Sequence, residues 1–295
     1  MSNYVLSACS TADLTKEHFE QRDIHYTCFH YSLDGKSYPD DLGQTMSMAD
    51  FYQAMVNGAE TKTSQINATE YLAYFTPFLE AGKDIFHVSL SSGLSGSVQS
   101  ARIAAEMALE QFPDRRIEIV DSLGASSGYG LLMDCLADLR DEGYTMDQLK
   151  EWAESNKKRM HHWFFSTDLT FYVKGGRVSK TSGFVGGVLN ICPLLNMDHE
   201  GHLIARKKCM GKKKVISEIV SRMEECADGR LDYSGKCYMC HSACYDDART
   251  VADMVEARFP NLKGKVEIYD IGTTIGSHTG PGTVALFFWG DERVD

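Results

Sequence analysis

Residues 85–105, IFHVSLSSGLSGSVQSARIAA, pass from an apolar run through a turn of glycine and hydroxyl residues into a helical pattern. The segment IEIVDS (117–122) is also strand-like, and a second helical pattern follows it. Successive strand–helix units of this kind predict a parallel sheet covered by helices. The N-terminal half is therefore expected to be an α/β unit.

Turn and capping residues predict further elements. Asp34-Gly35 lies in the middle of HYTCFHYSLDGKSY (25–38) and favours a tight hairpin. Residues 63–82 predict a loop followed by a helix, whose start is marked by the capping-box spacing of Asn67 and Glu70. The pattern changes near residue 160, where strand-like HHWFFSTDL begins a second α/β unit. We therefore predict two domains, residues 1–160 and 161–295.

Composition limits the possible partners and compartment. The chain has 295 residues and a formal net charge of −11, which argues against binding to a nucleic-acid backbone. The N-terminus lacks the basic and apolar regions of a signal peptide, and no stretch approaches the roughly 18 apolar residues of a membrane span. Nine cysteines without an export signal fit free thiols. We expect a cytoplasmic protein with no membrane segment.

The turn at 92–97 allows two chemical interpretations. Residues 93–97, GLSGS, approach the nucleophile pattern G-x-S-x-G, but Ser97 replaces the last glycine. Alternatively, the unpaired N–H groups at the start of the helix, with serine hydroxyls and two glycines, would hold an anion. Ser97 itself is expected to cap its own helix. The number of donors favours the anion interpretation.

Three other segments supply donors or positive charge. They are Thr63-Ser64-Gln65, Lys174-Gly175-Gly176-Arg177 and the glycine-rich run 276–282, GSHTGPG. Together with the turn at 92–97 they suit a small anionic group. No Walker A pattern and no G-x-G-x-x-G after a strand occurs, so the sequence gives no support for nucleotide binding.

The order of these strings resembles the DegV family, which includes the fatty-acid-binding subunits of bacterial fatty-acid kinase. The matching strings are STADL (10–14), TSQ (63–65), SSGLSGSVQSA (91–101), VDS (120–122), YVKGGRVSK (172–180), GGVLNICPLL (186–195) and HTGPGT (278–283). The resemblance implies a two-domain DegV-like (EDD) α/β fold. In it, an N-terminal parallel sheet flanked by helices is joined to a second α/β domain with a mixed sheet.

The resemblance also implies a function. A long-chain fatty acid would lie between the domains, and the protein would present its carboxylate to a separate ATP-dependent kinase that makes acyl-phosphate for phospholipid synthesis. The protein would not be an enzyme and would need no cofactor or metal. The carboxylate would be bound by Thr63, Ser95, Gly96 and His278. The cleft or the partner would be faced by Arg177, Lys208 and Lys212.

The sequence departs from the family pattern at three positions. Met210 precedes Gly211 where arginine is usual, Ile66 follows TSQ where proline is usual, and Cys9 replaces a common aspartate before STADL. The first departure leaves the identity of the kinase partner open.

Other functions stay open at this stage. A serine esterase or thioesterase acting on acyl substrates, or a sensor of another carboxylate ligand, would use the same residues. The string C-x-x-C-H at 237–241 is also found at haem attachment sites, and with Cys244 it could ligate zinc. In a strand, however, Cys237 and Cys240 would point to opposite faces. Four residues could line an acyl tunnel or simply belong to the core: Phe164, Phe165, Leu189 and Ile191.

Overall fold

The computed structural model describes residues 4–178 and 191–294, which form an α/β structure with three sheets. The strands are β1 (Tyr4–Cys9), β2 (Ile24–Thr27), β3 (His30–Leu33), β4 (Lys36–Pro39), β5 (Thr61–Ser64), β6 (Asp84–Ser89), β7 (Ile117–Asp121), β8 (Met160–Ser166), β9 (Ile191–Met197), β10 (Leu203–Met210), β11 (Cys237–His241), β12 (Val266–Asp270) and β13 (Thr283–Trp289). The α-helices are α1 (Lys16–Gln21), α2 (Met48–Val56), α3 (Ala68–Glu80), α4 (Ser97–Gln111), α5 (Ser126–Asp141), α6 (Met146–Asn156), α7 (Thr170–Lys174), α8 (Lys212–Cys226), α9 (Tyr245–Arg258) and α10 (Thr273–Thr279).

The parallel sheet predicted from the strand–helix units is confirmed. It has the strand order β2-β1-β6-β7, and every neighbouring pair is parallel. The carboxyl ends of parallel strands meet at one edge, so the segments that follow β6 and β7 lie side by side there. These segments lead into α4 and α5. The turn at 92–97 is therefore placed at the edge where α/β proteins commonly bind ligands.

The second sheet is mixed, as the resemblance implies, with the order β10-β9-β8-β13-β11-β12. Only β11 and β12 pair in parallel. Because side chains alternate across a strand, β8 contributes to two separate cores. Phe164 packs into the core that also contains the parallel sheet, whereas Phe165 packs with α8 and α9 on the other face. Whether the chain folds as two domains divided at residue 160 stays a prediction.

A small antiparallel sheet, β4-β3-β5, stands beside the parallel one. The hairpin predicted at Asp34-Gly35 is confirmed as the β3–β4 connection, and both residues have positive φ angles, +49° and +82°. Thr63 was expected in a loop, and this is wrong. It lies in β5, opposite Tyr31 of β3, in a strand too short and polar to show a pattern.

Local capping and one close backbone contact fix the approach to the turn. The capping box of α3 is confirmed, because the side chains of Asn67 and Glu70 each accept from the other's backbone amide. On the opposite side, Ser91 donates its hydroxyl to the carbonyl of Gly201, 2.9 Å away, in the β9–β10 turn. A side chain at Gly201, where φ is +81°, would place its Cβ 2.1 Å from the Ser91 hydroxyl oxygen. Glycine is required there.

Candidate functional site

A cavity of about 490 Å³ lies between the carboxyl edge of the parallel sheet and the inner face of the mixed sheet. Its volume falls within the range of small-molecule sites. The parallel sheet contributes the segments after its strands, which include Leu90 and Ala125. The mixed sheet contributes side chains of β8, β11 and β13, while β5 and α10 close one end.

Most of the wall is apolar. The aliphatic residues of the lining and its phenylalanine and tyrosine residues are Phe29, Leu90, Leu94, Ala125, Phe164, Tyr172, Met197, Leu203, Ile271, Ile275, Ala285 and Phe287. Phe164 lines the cavity and also belongs to the core around the parallel sheet. Phe165 and Ile191 are not among the lining residues, and Leu189 lies outside the described residues. The cavity therefore offers an extended apolar space, and strand alternation decides which phenylalanine of β8 reaches it.

Five of the predicted site residues meet at one end of this cavity. Thr63, Ser95, Gly96, Arg177 and His278 all line it, although they come from four distant parts of the sequence. Thr63 Oγ1 lies 2.7 Å from His278 Nε2, which joins β5 to α10. The structure therefore brings together the TSQ, LSGS, GGR and HTGPG segments.

The hydroxyl of Ser95 is held by its neighbours on both sides. It accepts a hydrogen bond from the Ser97 amide, at 3.2 Å, and donates to Gln65 Oε1, at 3.4 Å. Gln65 in turn donates to Ser100 Oγ on α4. Gln65 was not among the predicted contact residues, although its position directly after Thr63-Ser64 could have identified it.

The expected capping role of Ser97 is wrong. Gly96 is the N-cap of α4, and no side chain caps this helix end. The Ser97 hydroxyl instead lies 2.6 Å from the Tyr71 hydroxyl, which is also 3.2 Å from Cys9 Sγ. Both serine and tyrosine are fully buried. The Ser97 amide donates to Ser95 Oγ, but the N-cap Gly96 has no side chain to satisfy the amides that follow, so the helix start keeps donors that an anion can use.

The buried Tyr71–Ser97 pair should stabilise the turn. We expect Tyr71→Phe to lower the free energy of unfolding by about 1–3 kcal/mol, because it removes a hydrogen bond and leaves the Ser97 hydroxyl without a buried partner. The double variant Tyr71→Phe with Ser97→Ala should lose less than the two single losses combined. Urea unfolding of the variants measures both effects, and Tyr245→Phe at an exposed tyrosine is the control. Additive losses would contradict the pairing.

Two titratable groups lie at this end, and one of them, Arg177, favours an anion electrostatically. Burial and the nearby Arg177 charge lower the pKa of His278 to about 4, so its imidazole is neutral at pH 7. Burial also lowers the pKa of Arg177. The Arg177 guanidinium donates to the carbonyls of Gly175 and Leu94, and no carboxylate of the residues that the structure describes pairs with it. A half-buried cation without a counter-charge attracts an anionic ligand.

A buried carboxyl group, that of Asp13, is bonded to one of the residues that line the cavity. Ser126 lines the cavity and donates its hydroxyl to Asp13, whose pKa is raised well above the usual range by burial and by the nearby Asp40. Ser126 adopts a positive φ of +54°, which orients it for this bond. Asp13 was identified beforehand only as part of the STADL string. Burial and Asp40 therefore both disfavour the ionised form of Asp13 beside the cavity.

The two predicted lysines lie away from the other site residues. Lys208 is exposed on β10, opposite Pro193 of β9. Lys212 is the first residue of α8 and forms a 2.7 Å ion pair with Asp247 of α9. Neither lysine is among the lining residues of the cavity. A role for them at a partner surface stays a prediction.

The metal and haem interpretations of residues 237–241 find no geometry to support them. Cys237 and Cys240 belong to different cores on opposite faces of β11, as alternation predicts. Within residues 4–178 and 191–294, no three histidine, cysteine or acidic side chains are grouped so that they could hold a metal ion. The nine cysteines are unpaired. In the same ranges, no helix has both the length and the hydropathy needed to cross a membrane.

Known proteins are similar to this chain in sequence and in fold. A DegV domain-containing protein of Clostridium perfringens is 33% identical over 293 residues, which cover 99% of each chain. A DegV family protein from Thermus thermophilus, described by its fatty acid binding, superposes with a TM-score of 0.85 at 26% identity, covering 97% of this chain and 99% of that one.

A third protein shows the same fold at lower identity. The Streptococcus pneumoniae fatty acid kinase B3 protein, loaded with linoleic acid, gives a TM-score of 0.83 at 22% identity and covers 99% of this chain and 100% of its own. The family model described as "Uncharacterised protein, DegV family" matches residues 9–291. Both this match and the identity to the clostridial protein extend over nearly the whole length, and the chain belongs to the DegV family.

Proposed function

We propose that this protein is a carrier that binds a long-chain fatty acid in the 490 Å³ cavity and presents its carboxylate to a separate ATP-dependent kinase. The observation that carries the proposal is the division of the cavity into an apolar body and one polar end. The similar Thermus thermophilus protein, which is described as binding fatty acid, supports it.

The energetics of an acyl chain suit this cavity. Each methylene that leaves water contributes about 0.8 kcal/mol, so a long chain gains on the order of 10 kcal/mol before ordering costs. The carboxylate opposes burial unless donors compensate it. The Thr63 and Ser95 hydroxyls, the amides at the start of α4 and the Arg177 guanidinium, which has no carboxylate partner among the described residues, would provide that compensation.

The polar end is also the accessible end. Ser64, Gln65 and Gly96 are exposed, whereas apolar lining residues such as Leu90 and Phe287 are buried. A fatty acid bound with its carboxylate here would show its reactive group to another protein while its tail stayed covered. The geometry therefore supports presentation to a kinase, and the fold shared with the pneumococcal fatty acid kinase B3 protein agrees with it.

Catalysis by this chain itself receives less support. The Ser95 hydroxyl bonds to Gln65 and to the Ser97 amide, while the His278 ring bonds to Thr63. A serine esterase needs its nucleophile to be bonded to the base. A fluorophosphonate probe that labels active serines should therefore leave Ser95 unlabelled, and stoichiometric labelling would favour the esterase.

Binding of labelled fatty acid to delipidated protein tests the proposal. We expect Ser95→Ala and Thr63→Ala each to weaken binding about 10- to 100-fold, because hydrogen bonds to a charged group contribute about 1.5–3 kcal/mol. Ser221→Ala and Thr250→Ala, which remove exposed hydroxyls on α8 and α9, are matched controls and should bind normally. Negligible binding by the wild type, or equal binding by all variants, would refute the carrier.

A coupled assay tests the presentation step. Protein loaded with fatty acid, MgATP and a purified fatty-acid kinase catalytic subunit should yield acyl-phosphate, which hydroxylamine traps as the hydroxamate. The carrier without the kinase should yield none. Product formation without the kinase would show that the chain is itself the enzyme.

A further inference from the structure

A second, smaller cavity lies on the far face of the mixed sheet. It has a volume of about 190 Å³ and is lined by Trp163, Leu194, Arg206, Lys207 and Arg222. Trp163 and Leu194 belong to the core that packs against α8, not to the core around the fatty-acid cavity. The two cavities are therefore separated by the sheet.

Three of the five lining residues are cations, and their charge is not fully compensated. Glu218 pairs with Lys207 and with Arg222, at 2.8 Å in each case, and Arg222 also pairs with Glu225 at 2.7 Å. Arg206 donates instead to the neutral Asn196 side chain, at 2.7 Å, and no carboxylate among the described residues pairs with it. Three cations and two carboxylates leave an excess of positive charge.

The excess of positive charge at this cavity is opposite in sign to the net charge of the whole protein. The chain carries a formal net charge of −11, yet residues 206–214, RKKCMGKKK, contain six cations and no acid. This segment runs from the end of β10 into α8 and passes the pocket. The local charge therefore favours an anion at this place although the whole protein repels one.

A buried donor in the pocket wall has no acceptor. The indole Nε1 of Trp163 is inaccessible to solvent and has no hydrogen-bond partner among the residues that the structure describes, while the whole residue is only 7% exposed. The Arg222 guanidinium lies over the Trp163 ring, 5.8 Å from its centroid. The Trp163 ring is thus part of the pocket wall next to the Arg222 guanidinium, where its indole N–H can report on a bound anion.

We propose that this pocket binds a small oxyanion, with a phosphate group as the best match. Tetrahedral phosphate has acceptors in several directions, which suits the cationic donors Arg206, Lys207 and Arg222 that line the pocket from β10 and α8. The apolar Leu194 leaves no competing acceptor on that wall. This site is independent of the fatty-acid carboxylate site, since it lies on the other face of the sheet.

Indole N–H signals in ¹⁵N NMR test the site directly, because the chain has three tryptophans. Titration of the full-length protein with inorganic phosphate at constant ionic strength should shift the Trp163 signal saturably and leave those of Trp152 and Trp289 unchanged. Trp163→Phe assigns the signal by its disappearance. Arg206→Ala should weaken the phosphate response at least tenfold, while Arg102→Ala, an exposed arginine on α4, should not.

Several outcomes would overturn the proposal. A Trp163 signal that does not respond, or that responds equally to sodium chloride, excludes an oxyanion site. An equal response to acetate excludes the preference for phosphate. If the Trp163 signal of Arg206→Ala responds to phosphate as the wild type does, Arg206 does not belong to the site, and the proposal is refuted. These results do not depend on fatty-acid binding, so the carrier proposal and this one fail separately.

Discussion

Replacement of Ala285 by phenylalanine should abolish fatty-acid binding while the protein stays folded. Ala285 lies at the middle of β13, lines the cavity and faces neighbours that also line it, since it is in register with Phe164 and Cys240. The added ring can enter existing empty space instead of displacing packed atoms. It would exclude several methylenes at about 0.8 kcal/mol each, so we expect affinity to fall at least 100-fold.

The adjacent residue provides a matched control. Leu286 points to the other face of β13, into the core with α8 and α9, and its side chain lines neither of the two cavities. Leu286→Phe should therefore lower the free energy of unfolding by about 1–3 kcal/mol through overpacking, while the folded protein still binds fatty acid. Binding isotherms and urea unfolding of both variants distinguish the two effects. Normal binding by Ala285→Phe would mean that the acyl chain lies elsewhere.

Acidification from pH 7 to pH 5 should destabilise the protein by a few kcal/mol. Burial lowers the pKa of His87 to about 3 and those of His161 and His278 to about 4, and it lowers the pKa of His162 well below its usual value. Each histidine is neutral in the folded state but takes up a proton in the unfolded state below about pH 6.5. Stability is therefore lost as the pH falls, by about 2 kcal/mol per histidine at pH 5.

Two buried acids oppose this trend. Asp13 and Asp40 have raised pKa values, because burial disfavours their ionised forms, so they contribute stability that is lost as the pH rises. Four histidines outweigh two carboxyl groups between pH 7 and pH 5. The net loss is then a large part of the roughly 5–15 kcal/mol that stabilises a typical domain.

A single substitution isolates one histidine. His161 stacks on Phe288 with nearly parallel rings 5.1 Å apart, so His161→Phe keeps the packing and removes the titration. Urea unfolding at the two pH values should show that this variant loses about 2 kcal/mol less than the wild type on acidification. His202→Phe, at a half-exposed histidine, is the control and should behave as the wild type does. An unchanged pH dependence in His161→Phe would contradict the assignment.

Local patterns predicted the elements well, and the reasons are physical. The Asp34-Gly35 hairpin and the Asn67/Glu70 capping box depend on residues close in sequence, so their geometry is encoded locally. β5 escaped detection because its four polar residues form a strand only by pairing with β3. The role of Ser97 was missed for a similar reason, since its partner Tyr71 lies on another helix.

The candidate site could be predicted from the sequence less completely than the helices and strands. Thr63 and His278 are 215 residues apart, and only the resemblance to the DegV family placed them together before the structure did. Residue type alone cannot reveal such pairs, because the contact arises from how the sheets are arranged. The second cavity, behind the mixed sheet, likewise arises from the packing of β8, β10 and α8, and no sequence motif predicted it.

The position of the large cavity affects how the stability of the protein depends on its ligand. One wall belongs to the parallel sheet and the other to the mixed sheet, so an apolar ligand bound there would contact both sheets. A ligand that binds only the native form raises its stability in proportion to its supply. We therefore expect cells that lack the ligand to degrade the ligand-free protein faster. The abundance of the protein would then depend on the supply of its ligand.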